Sequence, residues 1–493
     1  RIKMKKIFTF AAIVLSRPDF ILGSSIVKHT NHAALDTLPQ VNKAAKNKRV
    51  SFVDTNSVIP AGGGENESEG LSITALAFNL MKSCLGTGIL SLPAGIAAMG
   101  DVEGALVPAS IVMAILGSVS AYSFFIIGKL CEMEDASSFG EVWEKTIGKD
   151  SSWIVTAVCF LTPLGVALSF SIVLGDFLSS LATTAGLKGF LATRHFAIVA
   201  VTLVAVYPLT LLKSLAALAP MSIIGVLGVV VSAVFMFLRM KSGSYAEGGK
   251  YFDTIASTLQ PSFGKKGLSI LSPTSSILCS MAATAYLAHF LAPDFYRGLK
   301  NANTKRFATL SAVGFSATGI ISIFMMCVAF LTFGGNCSGM ILKNYSAVDP
   351  GAILVRLLMV ISVVGSYPFI FGAVRASYLE LTTKEGELVT DKTRTSVTRA
   401  ILAGVTIGAL LLEDAGFVVS FNGALMGSAI IYIFPSLMYL QSMKNRVANG
   451  LMADSTGVKL EAIFNKLILS LGVILAIMGG TVSVLSEFFP HLL

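Results

Sequence analysis

The feature that most constrains this chain is a succession of eleven long apolar runs between residues 71 and 490. They lie roughly at 73–99, 104–128, 152–183, 195–212, 217–239, 273–297, 307–333, 351–381, 398–414, 416–440 and 466–489. Each is near or above the ~20 residues a helix needs to cross a bilayer. Irregular backbone facing lipid would leave amides and carbonyls unsatisfied, so the runs are expected to be helices. The third and eighth are over-long and should tilt or extend past the bilayer. Runs nine and ten meet at Glu413-Asp414, which reads as a tight turn. Composition agrees: 54% of residues are hydrophobic and 13% charged, against about 25% charged in a soluble chain. The fold class is therefore all-α integral membrane, with an eleven-helix transmembrane domain over 71–490.

Residues 1–70 differ in kind. They are polar, basic around Lys43 to Arg49, and Gly/Glu-rich from Ala61 to Gly70, the composition of a disordered tail. Met4-Lys5-Lys6 followed by apolar Ile7 to Leu15 marks residues 4–16 as a short targeting segment, or as an accidental apolar patch. Lys and Arg concentrate in this tail and in the loops after the even-numbered spans. That bias puts the N-terminus in the cytoplasm and, with eleven spans, the C-terminus on the other side. It also accounts for 37 Lys plus Arg against 28 Asp plus Glu. No basic stripe with interleaved aromatics is present, so no nucleic-acid partner is expected. Two sequons, Asn336-Cys337-Ser338 and Asn344-Tyr345-Ser346, then fall in the non-cytoplasmic loop between spans 7 and 8. The six cysteines are scattered, without metal-ligand spacing or a disulfide framework. His-Glu-x-x-His, clustered carboxylates and Gly-x-Ser-x-Gly are all missing, so neither an enzyme nor a metal site is expected.

The chemistry sits where the helices are weakest. Span 1 carries Gly86-Thr87-Gly88 at mid-span with Pro93 five residues beyond. Glycine weakens a helix and proline removes a donor, so the centre can unwind. Unwound backbone at membrane depth is tolerated where it lines a cavity. There the second half-helix aims its amides at an anion, while the first half's carbonyls face a cation. Ordinary packing through small residues is the bland alternative. Span 6 repeats the device: Ala282-Ala283-Thr284-Ala285-Tyr286 is followed by His289 and Pro293. Span 6 comes five helices after span 1, an odd offset, so spans 1–5 and 6–10 would insert with opposite topology. Paired interrupted helices in two inverted halves mark a transporter binding site. The candidate substrate-binding residues are Gly86, Thr87, Gly88, Ala283, Thr284, Tyr286 and His289. His289 reads equally as a proton relay or substrate contact and as a hydrogen-bonded structural residue.

At these residues the chain resembles the amino acid/auxin permease family, which includes vacuolar and sodium-coupled neutral amino acid transporters. Phe78-Asn79-Leu80 followed by Gly86-Thr87-Gly88-Ile89-Leu90 is similar to the family's first-helix signature. Gly175-Asp176, Tyr207-Pro208-Leu209, His289 through Tyr296, Leu331-Thr332-Phe333-Gly334 and Arg375-x-Ser377 follow in order. The resemblance implies a LeuT-type 5+5 inverted repeat with an eleventh helix, helices 1 and 6 interrupted, and cation-linked or facilitated movement of amino acids. It also implies that Ser362 and Ser366 of span 8 lie where the family places cation-binding hydroxyls. One position departs. In the sodium-coupled members an Asn stands four residues before the first glycine of the signature, and here it is Lys82. A lysine there is a tethered cation or titratable amine at the ion's place, or else it snorkels to the cytoplasmic face.

The expected function is secondary transport of amino acids by alternating access, proton-coupled or sodium-independent, with no cofactor and with H+ favoured over Na+. The partners are an amino acid substrate and the bilayer, and the protein acts as a monomer. An amino acid sensor signalling through its cytoplasmic tail is the alternative. The host membrane is vacuolar or lysosomal, the plasma membrane, or an organelle envelope if 4–16 is a targeting signal.

Overall fold

A computed structural model describes residues 70–492 apart from 213–218, 266, 271, 384–388, 452 and 454. The tail expected over 1–70, with its segment at 4–16, lies outside the described residues save for Gly70.

Among the described residues the helical elements group into eleven spans in the expected order, several of them built from more than one element. Span 1 is Ile73–Cys84 plus Thr87–Met99, bent by 47° at the break. Span 2 is Leu106–Met133, span 3 Ser152–Thr184, span 4 Arg194–Thr210 and span 5 Ala219–Lys241. Span 6 covers Pro273–Arg297, span 7 Thr304–Phe333 and span 8 Pro350–Thr382. Span 9 is Asp391–Leu411, span 10 Ala415–Ala448 and span 11 Thr456–Phe488. Eight are long and apolar enough to cross a membrane, nine with the bent pair. The other two are the short apolar span 4 and span 9, whose first turns carry Asp391, Lys392, Arg394 and Arg399. The expected turn between spans 9 and 10 is built by Asp414. Its carboxylate accepts from the amides of Gly416 (2.6 Å) and Phe417 (3.2 Å) as an N-cap.

Loop contacts sort into two faces. The proximal face carries Gly70, and the distal face lies at the far end of span 1. On the distal face Asp101 accepts from the amides of Gly264 (3.1 Å) and Lys265 (2.8 Å), and Gly335 donates to Ser262 (2.8 Å). On the proximal face Lys129 pairs with Glu461 (3.0 Å) and Arg446 with Glu134 (3.3 Å). Loops after odd spans thus meet one another, as do loops after even spans, which is the alternation eleven crossings require. A distal carboxylate, Asp349, is fully buried and fully satisfied. It takes Arg239 through two bonds (2.6 and 2.8 Å), the Tyr245 hydroxyl (2.9 Å) and the Gly351 amide (2.9 Å). A buried charge is tolerated only with such compensation.

One expectation changes here. Asn344, read as a sequon, is fully buried. Its amide donates to the carbonyls of Asn336 (2.8 Å) and Leu259 (3.3 Å), and its oxygen accepts from Ser338 (3.0 Å). It staples the distal loops and presents no side chain to solvent.

Candidate substrate site at the broken helices

Both predicted interruptions are present and share one construction. In span 1 the α-helix stops at Cys84, a 3-10 turn covers Thr87–Ser91, and a helix resumes at Leu92 with Pro93 in its first turn. In span 6 the helix Ser276–Ala285 stops, a 3-10 turn covers His289–Leu291, and Ala292–Arg297 resumes with Pro293 in its first turn. Proline is at home there, because first-turn amides have no intrahelical acceptor.

The two breaks adjoin. A Cβ added at Gly88 would lie 3.2 Å from both Cα and N of Ala285, so any side chain there would press the two backbones apart by a few tenths of an ångström. Among the described residues, the amides of Thr87 and Gly88 donate to no backbone carbonyl, and the carbonyls of Ala283 and Ala285 accept from no backbone amide. Donors of span 1 and acceptors of span 6 therefore stand side by side at the centre of the bundle. The donors also lie at the positive end of a half-helix and the acceptors at the negative end of another.

Spans 3 and 10 enclose this centre. The Thr87 hydroxyl meets Ser169 at 3.1 Å, both buried. The ring of Phe170 stands over Gly86, 3.6 Å from where its Cβ would be. Ser171 meets the Tyr367 hydroxyl of span 8 at 2.9 Å. Thr284 donates to the Val419 carbonyl of span 10 (2.7 Å). Span 10 then winds through two π-turns, Gly423–Gly427 and Ala429–Ile433, with Gly427 against Ala283. Such π-turns are frequent at functional sites. Span 3 meets span 10 beside Pro163, where Asn422 donates to the Thr162 carbonyl at 3.2 Å. Ser169, Phe170 and Asn422 were not singled out from the sequence. A hydroxyl or amide inside an apolar run was the available signal.

The remaining candidates lie elsewhere. Tyr286 turns away from the break, its ring slotted between Gly117 of span 2 and Gly319 of span 7 and its hydroxyl donating to the Met113 carbonyl (3.2 Å). His289 is fully buried, with Nε2 2.9 Å from the Ser120 carbonyl. A carbonyl only accepts, so Nε2 carries the proton. The ring is edge-on to Phe124. Lys82 lies in the last turn of the first half-helix, and its ammonium lies 4.5 Å from the centroid of the Phe369 ring in span 8. Phe369 is one helical turn from Ser366 and two from Ser362. The Lys82 head thus reaches across to mid-span 8, about 20 Å of helix from that span's proximal end at Thr382. The Ser362 hydroxyl itself faces Gly225 of span 5.

Of the charged residues near span ends, Asp176 binds Arg194 (2.9 Å) and Lys343 (2.7 Å) on the distal face. Arg356 is buried and donates to the Leu342 carbonyl (2.9 Å). Arg375 donates to the Thr210 carbonyl (2.9 Å) and the Thr398 hydroxyl (3.1 Å), tying spans 4, 8 and 9 together.

Residues 69–485 match the family model described as transmembrane amino acid transporter protein. A relative from Danio rerio, provisionally named sodium-coupled neutral amino acid transporter 11, is 22% identical over 425 residues, covering 85% of this chain and 87% of its own. Amino acid transporter AVT6E of Arabidopsis thaliana is 25% identical over 406 residues, covering 78% of each chain. Among solved structures, MhsT in complex with L-phenylalanine superposes with a TM-score of 0.54 at 14% identity, over 84% of this chain and 100% of that one. That likeness gives the LeuT-type fold.

Proposed function

The chain belongs to the transmembrane amino acid transporter family and moves amino acids across a membrane; from that premise we propose how it does so. The substrate carboxylate binds the amides of Thr87 and Gly88, and its ammonium binds the carbonyls of Ala283 and Ala285. Thr284 holds span 6 to span 10, and Phe170 covers the site from span 3. A zwitterion matches this pairing of positive and negative half-helix ends. Alternating access then exchanges the proximal and distal openings, the proximal face being cytoplasmic, as the basic loops support. One chain carries the whole site, which supports a monomer. The host membrane is vacuolar, lysosomal or plasma membrane.

Movement is proton-coupled or sodium-independent. The carrying observation is the Lys82 ammonium against Phe369 on the face of span 8 that bears Ser366. At an effective dielectric of about 20, a second unit positive charge ~4 Å away is disfavoured by about 4 kcal/mol. That exceeds what a few hydroxyls and carbonyls recover, so a sodium ion is displaced from this position by the lysine. Uptake of a labelled amino-acid panel into proteoliposomes, under a pH gradient and separately under a sodium gradient, tests this. Stimulation by the pH gradient, or indifference to both, is expected; strict sodium dependence would sink the reading. Lys82→Asn should bring in sodium stimulation or abolish pH dependence. If it changes neither, Lys82 is not the ion's surrogate.

A further inference from the structure

Between spans 4 and 9 an apolar groove of about 470 Å³ opens on the outer surface of the bundle. Span 9 lines it with Leu402, Ala403, Thr406 and Ile407, at helical spacing on one face, and span 4 with Val199 and Leu203. A π-turn at Thr202–Val206 widens span 4 there. The wall is almost wholly apolar, as lipid-facing surface should be. Its proximal end is not. Arg399 sits there, immediately before the apolar stretch of span 9, and its Nε donates to the Tyr207 hydroxyl at 2.8 Å, with the guanidinium over the same ring at 6.0 Å.

That arrangement fixes the guanidinium through Nε alone. Among the described residues its two terminal amino groups have no hydrogen-bond partner, and the side chain is exposed. Lys392 and Arg394 lie one to two turns nearer the surface on the same helix. Tyr207 lies in the last turn of span 4, near its proximal end, the place in a span where interfacial aromatic residues concentrate. A charged fork held at that level, above an apolar trough leading into the hydrocarbon, has the shape and polarity of a phospholipid: phosphate at the fork, one acyl chain in the trough. We propose that this groove is a binding site for an anionic phospholipid, with Arg399 reading the phosphate. Charge complementarity selects that occupant over a sterol or a neutral lipid, for which the fork has no use.

The test uses the full-length protein in vesicles of phosphatidylcholine, with and without phosphatidylglycerol. Lipid retention is read by native mass spectrometry after release into detergent. Retention of phosphatidylglycerol above phosphatidylcholine is expected for the wild type. Arg399→Gln should lower that preference about fivefold, the weight of one basic side chain at an anionic surface. Arg399→Lys should keep most of it, and Ala403→Phe, which fills the trough, should remove bound lipid of either kind. A circular dichroism spectrum and melting curve like the wild type's qualify each variant for comparison. Equal retention of the two lipids by the wild type, an unchanged preference in Arg399→Gln, or displacement by inorganic phosphate would each overturn the proposal. Transport plays no part in the readout, so a failure here leaves the amino acid site untouched.

Discussion

Spans 1 and 6 are the same device used for opposite ends. Both stop, pass through a 3-10 turn and restart with proline in the first turn. Yet span 1 is bent by 47° at its break, whereas span 6 passes through its own as a single span. Span 1 brings open amides and a side chain, Thr87, that faces the centre. Span 6 brings open carbonyls, and its larger side chains point outward, Tyr286 into the wall with spans 2 and 7 and His289 onto span 2. The lesson is that backbone chemistry at a broken helix depends on which half presents itself. Side-chain chemistry depends on which way the residues after the break happen to turn.

The comparison can be broken most sharply at Gly88. Gly88→Val puts a branched side chain 3.2 Å from the backbone of Ala285 and should drive the two breaks apart. Overpacking a close contact costs about 1–3 kcal/mol, so transport should fall about ten- to a hundredfold. Gly86→Ala meets only the Phe170 ring at 3.6 Å and should be far milder in the same uptake assay. Equal damage from both would mean the breaks do not need to touch.

A smaller effect is expected at Thr87. Thr87→Val removes a hydroxyl bonded to Ser169, a contact worth about 1 kcal/mol, so KM should rise about fivefold. Combining it with Ser169→Ala should add little, because both changes delete one interaction. The smallest effect belongs to span 6. Tyr286→Phe loses a bond to a span 2 carbonyl and should lower the melting temperature slightly, by about 1 kcal/mol of stability or less, while KM holds. A KM shift as large as that of Thr87→Val would return Tyr286 to the substrate and dissolve the contrast between the two helices.

Much of this was legible in the chain, for identifiable reasons. Glycine and proline at mid-span announce a break directly, so the interruptions at Gly86–Gly88 and before Pro293 lie where they were expected. Apolar runs report the part of a helix that lipid surrounds, not the helix itself. Span 9 was therefore read from 398 but begins at Asp391, and span 11 was read from 466 but begins at Thr456. The proximal helix Phe139–Thr146 was not foreseen, because it is short and amphipathic. The side-chain part of the site was less visible. Span 6 places Tyr286 and His289 next to the break in sequence, and nothing local says that glycines 117 and 319 open a slot for the tyrosine on the far side. Ser169 and Asn422 were hidden by the opposite problem: a polar residue in a membrane helix commonly serves its own backbone, and only tertiary contact shows that these two do not.

The start of span 1 is bonded to the end of span 6: Leu71 donates to Gly298 (2.8 Å) and accepts from Lys300 (2.9 Å). Gly70 permits the approach, with φ of +66° and the Lys300 nitrogen 2.9 Å from where its Cβ would be. The inner halves are joined as well, Gly95 lying against the backbone of Leu278 and Gly88 against Ala285. Spans 1 and 6 are thus tied at one outer end by two backbone hydrogen bonds and along their inner halves by close backbone packing. A half-helix that moves alone has to stretch or break one of these contacts, so the tie at Leu71 sets a cost on span 1 moving without span 6.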